Sequence, residues 1–176
     1  MEAISKQYGP LYASDIGPIA WSDSTVDAQP ARFLAVPCLA MDEVPEAHRL
    51  SCLSIVDPHR PELFARGLVS SDGIITVEYD LEYDPRNPET FEKDASFYER
   101  YDLFFPGYNA VESVHHEAYY MAVSSQGRLI EVTDFQDTEG FRNAASFAFP
   151  SHSKWSTLLT LFRIFHNILL TYLLAS

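Results

Sequence analysis

Two stretches of this chain have the order and composition of copies of one unit. Ser70–Ile75 recurs as Ser124–Ile130, and both segments place a glycine shortly before an aliphatic pair. Further along, Phe91–Phe97 recurs as Phe141–Phe147, and both segments end in Ala-Ser-Phe. The spacing between the two elements differs between the copies because residues 83–88 form a turn-rich insert in the first copy. Internal repetition constrains the fold strongly, since each copy must form the same supersecondary unit.

Each copy contains short apolar runs that predict strands. Their alternation and their aromatic and β-branched side chains are typical of a half-buried pleated surface. There are three such runs in each copy, at residues 50–56, 63–66 and 74–79 and at residues 110–114, 118–123 and 129–133. We expect Gly73 and Gly127 to take the positive-φ position of a hairpin turn before the third run. With a closing strand at the phenylalanines, four short strands per copy predict an all-β barrel or sandwich.

The repeated unit resembles the repeat of the arabinose-binding domain at the C-terminus of α-L-arabinofuranosidases, which is a β-trefoil of three such units. The resemblance rests on the order of five elements: Glu112–Val114, Tyr119–Met121, Gly127–Leu129, Phe141 and Ala145–Phe147. It covers about residues 50–150 and includes two of the three units. The resemblance therefore implies a β-trefoil-like fold, incomplete because only two repeats are recognisable.

The same resemblance implies a sugar site and indicates its residues. In that family, a histidine after the tyrosines and an aspartate before the Ala-Ser/Thr-Phe element contribute to holding the sugar. Asp94 matches the aspartate in the first copy, whereas Ala144 replaces it in the second and Ala122–Val123 replace the Arg-His pair. Asp94 is thus the main candidate ligand-binding residue, and a capped turn before a buried phenylalanine is the structural alternative. Tyr119 and Tyr120 face opposite sides of a predicted strand, so one ring could meet a sugar unless both pack the barrel and its rim.

The region Val111 to Phe149 also resembles interleukin-1-type cytokines, a second family of trefoils. The shared features are Glu112–Val114, the aromatic pair that follows, an N-terminus without a leader and a Phe-rich closing strand. The duplicated Ala-Ser-Phe element favours the arabinose-binding family, because cytokine trefoils have largely lost visible internal repetition. The cytokine resemblance implies an alternative function, namely protein contact through the trefoil surface.

The composition disfavours some classes of partner. The 176 residues include 25 Asp and Glu but only 12 Lys and Arg, which gives a formal net charge of −13. Because such a surface repels a phosphate backbone, we expect no nucleic-acid partner. Cys38 and Cys52 are too few for a disulfide scaffold. The N-terminus lacks the apolar segment of a signal peptide, so we expect a cytoplasmic protein with free, buried thiols, a single bridge being the alternative.

Composition also divides the chain into three segments. Residues 1–48 are rich in proline and predict edge strands or ordered loops laid over the barrel, or a degenerate repeat. Residues 49–150 hold the trefoil-like repeats. Residues 151–176 contain no acidic residue and predict an apolar C-terminal helix. The stretch 155–175 is long enough to cross about 30 Å of hydrocarbon, although Arg163 near its centre disfavours insertion.

The role of this tail has three interpretations. It could be an ending unrelated to the repeats, a helix packed on the barrel or a membrane anchor. A helix with apolar residues on most of its surface leaves large side chains in water, which recruits a membrane or another copy of the chain. The tail therefore predicts membrane contact or self-association.

The sequence offers little support for catalysis or for a cofactor. It has no Gly-x-Ser-x-Gly elbow and no phosphate-binding glycine loop. His115–Glu117 is the densest cluster of metal-ligand residue types, but adjacent histidines on a strand point to opposite faces and cannot both bind one ion without a bulge. We therefore predict no metal here and interpret the cluster as a solvated loop at the end of a strand. The carboxylates of residues 78–84 alternate with apolar side chains. This pattern is typical of the solvent-exposed face of a strand and not of the catalytic carboxylate pair of a glycosidase. We therefore predict that the chain is not an enzyme.

Taken with the repeats, these observations predict an all-β, β-trefoil-like domain followed by an apolar C-terminal helix. The predicted function is that of a non-catalytic carbohydrate-binding module, in a chain that is a truncated form of a longer trefoil protein. One alternative is a leaderless cytokine-like or intracellular protein-interaction trefoil. Another is an acidic domain tethered to a membrane. The expected partner is a glycan or a protein.

Overall fold

The fold consists mainly of short antiparallel strands. The computed structural model describes residues 3–13, 19–20, 33–81, 88–125 and 129–149. Its strands are β1 (Ile4–Ser5), β2 (Gly9–Pro10), β3 (Tyr12–Ala13), β4 (Ile19–Ala20), β5 (Leu34–Pro37), β6 (Cys52–Val56), β7 (Leu63–Val69), β8 (Ile75–Leu81), β9 (Phe97–Tyr101), β10 (Asn109–Ser113), β11 (Tyr119–Val123), β12 (Ile130–Asp134) and β13 (Phe147–Ala148). A 3₁₀-helix spans Glu46–Ser51, and two α-helices are α1 (Pro88–Asp94) and α2 (Glu139–Ala144). The sequence predicted an all-β domain; the structure is mostly β and adds two short α-helices and a 3₁₀-helix.

Seven of these strands close into a barrel. Their order around the barrel is β6, β7, β8, β12, β11, β10 and β9, and every neighbouring pair is antiparallel. Closure depends on two pairings, Glu112 opposite Tyr120 between β10 and β11, and Cys52 opposite Tyr98 between β6 and β9. A closed ring leaves none of the seven strands as a free edge, which protects short strands from pairing with other chains.

The same succession of elements occurs twice along the chain. Three strands, a short helix and a fourth strand run from β6 to β9 and again from β10 to β13. The turn between β7 and β8 contains Gly73 at φ 83°, and its N–H donates to the carbonyl of Ser70 at 3.0 Å. This is the positive-φ turn expected from the sequence. Gly127, predicted to do the same in the second copy, lies outside the described residues.

The two phenylalanines that end each copy are all buried, with at most 8% of their surface exposed. The first of each pair lies in the short helix, and the second begins the following strand. Phe97 and Phe147 join the main core inside the barrel, together with Val77, Val111 and Met121. The repeated phenylalanines therefore take equivalent buried places in the two copies.

Parts of the proline-rich segment lie beside the barrel in the same sheet. β1 pairs with β13 and with β2, while β5 pairs with β6 and with no other strand of the described residues. Ala3, Leu11 and Phe33 contribute buried side chains to the main core. Among the described residues, β2 and β5 lie at edges of the sheet, as expected, whereas β1 is paired on both sides. The degenerate-repeat interpretation of this segment stays a prediction.

The expectation of free cysteine thiols is wrong, because Cys38 and Cys52 form a disulfide. Cys38 directly follows β5 and Cys52 begins β6, and the register of this antiparallel pair places Pro37 opposite Leu53. The two Cα atoms are consequently 5.4 Å apart, within the range that a bridge requires. Disulfides persist in oxidising compartments. The cysteine pair therefore gives no support to the expected cytoplasmic location.

The predicted apolar C-terminal helix falls on residues outside the described part of the chain. Its membrane contact and its self-association consequently stay predictions. Among the residues that the structure describes, no helix has both the length and the apolar character needed to cross a membrane.

Candidate functional site

Asp94, the main candidate from the sequence, is the last residue of α1. The end of this helix is held by the N–H of Ala95, which donates to the carbonyl of Phe91 at 2.9 Å. The hydroxyl of the buried Ser96 donates to the carbonyl of Glu92 at 2.6 Å and accepts the N–H of Ala40 at 3.0 Å. These bonds tie the helix end to the chain beside β5. The position of Asp94 is thus fixed by buried backbone contacts.

The loop between β10 and β11, residues 114–118, faces Asp94 and is held at both of its ends. The N–H of Val114 donates to the carbonyl of Ser96, and the N–H of His116 donates to the hydroxyl of Ser113. At the other end, the N–H of Ala118 donates to Glu112 Oε1 at 3.3 Å. Ala118 has φ 60°, a left-handed conformation that glycine adopts more readily than alanine. The loop therefore holds a defined shape that its surroundings impose.

Glu112 connects this loop to a neighbouring strand. Its carboxylate also accepts a hydrogen bond from Arg100 Nε at 2.6 Å. The Glu112 side chain is 12% exposed and the Arg100 side chain is 26% exposed. The guanidinium of Arg100 lies over the ring of Tyr98, 4.6 Å from the ring centre. Glu112 therefore links the barrel wall to the loop, a role that its place in the Glu-Ser-Val motif did not reveal.

Three rings and one carboxylate meet at this loop. His115 Nδ1 lies 2.5 Å from Asp94 Oδ1. The rings of His115 and His116 stack at 4.4 Å with planes 22° apart, and the ring of Tyr119 lies 5.5 Å from that of His116. We call Asp94, His115, His116 and Tyr119 the Asp94 site. It joins residues of the first and the second copy.

The prediction that adjacent histidines point to opposite faces does not apply here. That argument assumed an extended strand, whereas β10 ends at Ser113 and β11 begins at Tyr119. In the loop between them, His115 and His116 turn their rings to the same side. The pair was visible in the sequence, and it lies between the predicted runs at residues 110–114 and 118–123, which agrees with a loop.

The electrostatics of the site favour an uncharged His116. Burial lowers the pKa of His116, and the neighbouring His115 lowers it further, while Asp94 opposes both effects. The ring is therefore largely neutral at pH 7, and it can offer both an N–H donor and an unprotonated nitrogen. Asp94, only 11% exposed, supplies carboxylate acceptors beside it.

The structure separates the two candidate tyrosines. Tyr119 contacts His116 and packs against the main core, whereas Tyr120 belongs to an aromatic cluster with Phe104, Phe135 and Phe141. Both tyrosines are half-buried. Asp94 is thus connected to Tyr119 through the two histidines, whereas Tyr120 contacts the three phenylalanines and is not part of the Asp94 site. We call Phe104, Tyr120, Phe135 and Phe141 the aromatic cluster.

The aromatic cluster covers the second copy at the place where Ala144 replaces the expected aspartate. Ala144 packs against Ala122, Phe141 and Ala145 beside Phe104 and Tyr120. An alanine offers no acceptor for a sugar hydroxyl. Within the described residues, the two copies therefore differ at this position: the surroundings of Asp94 in the first copy are polar, whereas those of Ala144 in the second copy are aromatic.

An apolar cavity lies at one end of the barrel core. Its lining includes Phe33, Met121, Phe147 and Phe149, and its volume is about 30 Å³. All of its lining surface is apolar. A sugar needs several polar groups aimed at its hydroxyls. This cavity is therefore a feature of core packing and not a carbohydrate site.

Comparison with known proteins supports the fold. No family profile and no curated protein sequence matches this chain. An arabinofuranosidase solved with arabinofuranosyl-alpha-1,2-xylobiose superposes with a TM-score of 0.61 at 15% identity, covering 84% of this chain and 30% of that enzyme. This chain thus spans less than a third of that enzyme's length.

Cytokine structures superpose about as well. Gallus interleukin-1 beta has a TM-score of 0.60 at 12% identity and is covered over 92% of its length. Interleukin-36alpha has a TM-score of 0.55 at 16% identity and is covered over 94%. Identities this low show the fold alone. The chain is therefore a β-trefoil-like protein similar in fold to both families named from the sequence.

Proposed function

We propose that this chain is a non-catalytic module that binds a carbohydrate at the Asp94 site. The observation that carries the proposal is the meeting of a fixed carboxylate, two stacked imidazoles and the Tyr119 ring at one surface. A carboxylate can accept two hydrogen bonds from vicinal hydroxyls, and a flat ring beside it can contact the apolar face of a sugar. This combination is what sugar recognition requires.

The charge of the chain narrows the class of sugar. A net charge of −13 opposes the approach of sulfated or uronic-acid glycans. A neutral sugar with vicinal hydroxyls, of which a pentofuranose is one example, fits an acceptor-rich site better. The fold shared with an arabinofuranosidase supports this class and does not select a particular sugar.

A glycan array with the full chain tests the proposal. The array should hold neutral oligosaccharides, including arabinofuranosyl-bearing ones, and the buffer should contain a chelator to exclude metal effects. We expect binding that falls about ten- to a hundredfold in Asp94→Asn, because a hydrogen bond to a charged group contributes about 1.5–3 kcal/mol.

The matched control is Glu139→Gln, which removes the same charge from an exposed position at the start of α2. It should bind as the unmodified chain does. Equal affinity of Asp94→Asn and the unmodified chain, or no binding to any neutral glycan, would contradict the proposal.

A second candidate function is protein recognition of the cytokine kind. It is favoured by the near-complete coverage of interleukin structures and by the aromatic cluster, in which Phe135 is 42% exposed. Aromatic side chains are enriched at protein interfaces. Binding of labelled full-length chain to cell surfaces that is lost in Phe135→Ser, but kept in Asp94→Asn, would favour this function over carbohydrate binding.

A further inference from the structure

The Asp94 site places three metal-ligating side chains within reach of one another. One ligand atom each from Asp94, His115 and His116 lies within 4.8 Å of the other two. In a tetrahedral zinc site, ligand atoms lie about 2.0–2.2 Å from the ion, and hence about 3.3 Å from one another. Asp94 Oδ1 and His115 Nδ1 are 2.5 Å apart, a hydrogen-bond contact that an ion bound between them would replace. The ligand atom of His116 lies within 4.8 Å of both.

The chemistry of these three groups selects a class of ion. Two imidazole nitrogens with one carboxylate oxygen suit zinc and its first-row neighbours, whereas calcium and magnesium prefer oxygen ligands alone. Three protein ligands leave a fourth position for water or for an external ligand. The site is therefore suited to an exchangeable first-row divalent ion.

The backbone that carries the three ligands is arranged before any ion arrives. The N–H of Val114 donates to the carbonyl of Ser96, which joins the loop directly to the residue pair following α1. Glu112 holds the far end of the loop through the N–H of Ala118. Preorganised ligands lose less conformational entropy on binding. The backbone segments that carry the three ligands are therefore held in place by hydrogen bonds without the ion.

The surrounding charge favours a cation as well. The nearest ammonium to Asp94 along the chain, on Lys93, is paired with Glu43 at 2.6 Å. The chain as a whole carries an excess of acidic groups. A cation approaching the site is therefore attracted by the field of the protein.

We propose that Asp94, His115 and His116 bind one first-row divalent metal ion, for which Zn²⁺ is the ion to test. The proposal does not rest on carbohydrate binding, because it needs only the three side chains and the loop that holds them. The objection that adjacent residues of a strand face opposite sides does not hold here, because His115 and His116 lie in the loop that follows β10 and their rings stack.

Titration of the full chain, freed of metal by a chelator and then dialysed, tests the proposal. Calorimetry with Zn²⁺ should give one site per chain. Co²⁺ should give the intense visible absorption of a four-coordinate ion, and Zn²⁺ should displace it. Loss of even an outer hydrogen-bond partner of a metal site costs about 10–100-fold in affinity. We therefore expect His116→Gln to weaken binding by at least about a hundredfold.

Control variants separate this site from other histidines. His59→Gln alters an exposed histidine that is absent from the cluster, and it should bind as the unmodified chain does. The double variant His152→Gln with His166→Gln, at positions outside the described residues, should also bind as the unmodified chain does.

Two results would overturn the proposal. One is the absence of stoichiometric Zn²⁺ binding in the unmodified chain. The other is unchanged affinity and unchanged Co²⁺ absorption in both His116→Gln and Asp94→Asn, with circular dichroism showing that these variants are folded. Since no glycan is present, a negative result here leaves the carbohydrate proposal to its own test.

Discussion

Truncation of Phe147 to alanine should destabilise the protein by about 4 kcal/mol. Phe147 begins β13, is 3% exposed and packs in the main core with Phe97 and Val111. Losing about 120 Å² of buried apolar area at about 25 cal/mol per Å² removes about 3 kcal/mol. A residual cavity of about 40 Å³ adds about 1 kcal/mol at about 24 cal/mol per Å³. The sum falls within the range of about 3–5 kcal/mol seen for Phe→Ala in cores.

The assay is equilibrium unfolding of the full chain in urea, followed by far-ultraviolet circular dichroism. Phe97→Ala, at the equivalent place in the first copy and 0% exposed, should give a loss of similar size. Phe135→Ala is the control, because its ring is 42% exposed and should cost about 1–2 kcal/mol. A loss below about 1 kcal/mol for Phe147→Ala would refute the argument that the second copy closes on a core strand as the first does.

Three further predictions concern other parts of the molecule. Replacing both Cys38 and Cys52 with serine should lower the free energy of unfolding by about 2–4 kcal/mol, measured in urea, and reductant should have no further effect on this variant. Glu131→Gln should stabilise the protein at neutral pH, because burial and then the charge of Asp72 raise the pKa of the Glu131 carboxyl, so that its ionised form is disfavoured in the folded state. That gain should vanish in urea titrations below about pH 4, where glutamate is protonated in the unfolded chain too; a gain that persisted in acid would contradict the cause. If the glycan and the metal share Asp94, Zn²⁺ should weaken glycan binding by the unmodified chain and should not change glycan binding by His116→Gln. Equal inhibition of glycan binding by Zn²⁺ in both proteins would show that Zn²⁺ acts at a site other than the Asp94 site.

The strands were predictable because their signals are local. The predicted runs at residues 50–56 and 129–133 correspond to β6 (Cys52–Val56) and β12 (Ile130–Asp134), within two residues at each end. Alternating apolar side chains and a glycine at a positive-φ turn depend on neighbours a few positions away. The short helices α1 and α2 were missed, since six or seven residues give too little periodicity to distinguish a turn of helix from a loop.

The candidate site was only partly predictable. Asp94 was identified through a resemblance, but its partners His115 and His116 come from the other copy of the repeat. Glu112 and Arg100 meet diagonally across two strands, because the register between β9 and β10 places Arg100 opposite Ala110 and Glu112 opposite Tyr98. Sequence alone contains no register between distant strands, because register is decided by which apolar faces meet in the core.

The sequence by itself determined the mostly-β class of the fold, the repeated order of strands and the net negative charge. Tertiary structure alone decided what is brought together across the barrel. It closed seven strands into a ring, joined Cys38 to Cys52 and turned two adjacent histidines toward Asp94. The physical reason is that burial and periodicity are properties of short segments, whereas ring closure and side-chain clusters arise only when segments far apart in the chain pack on one core.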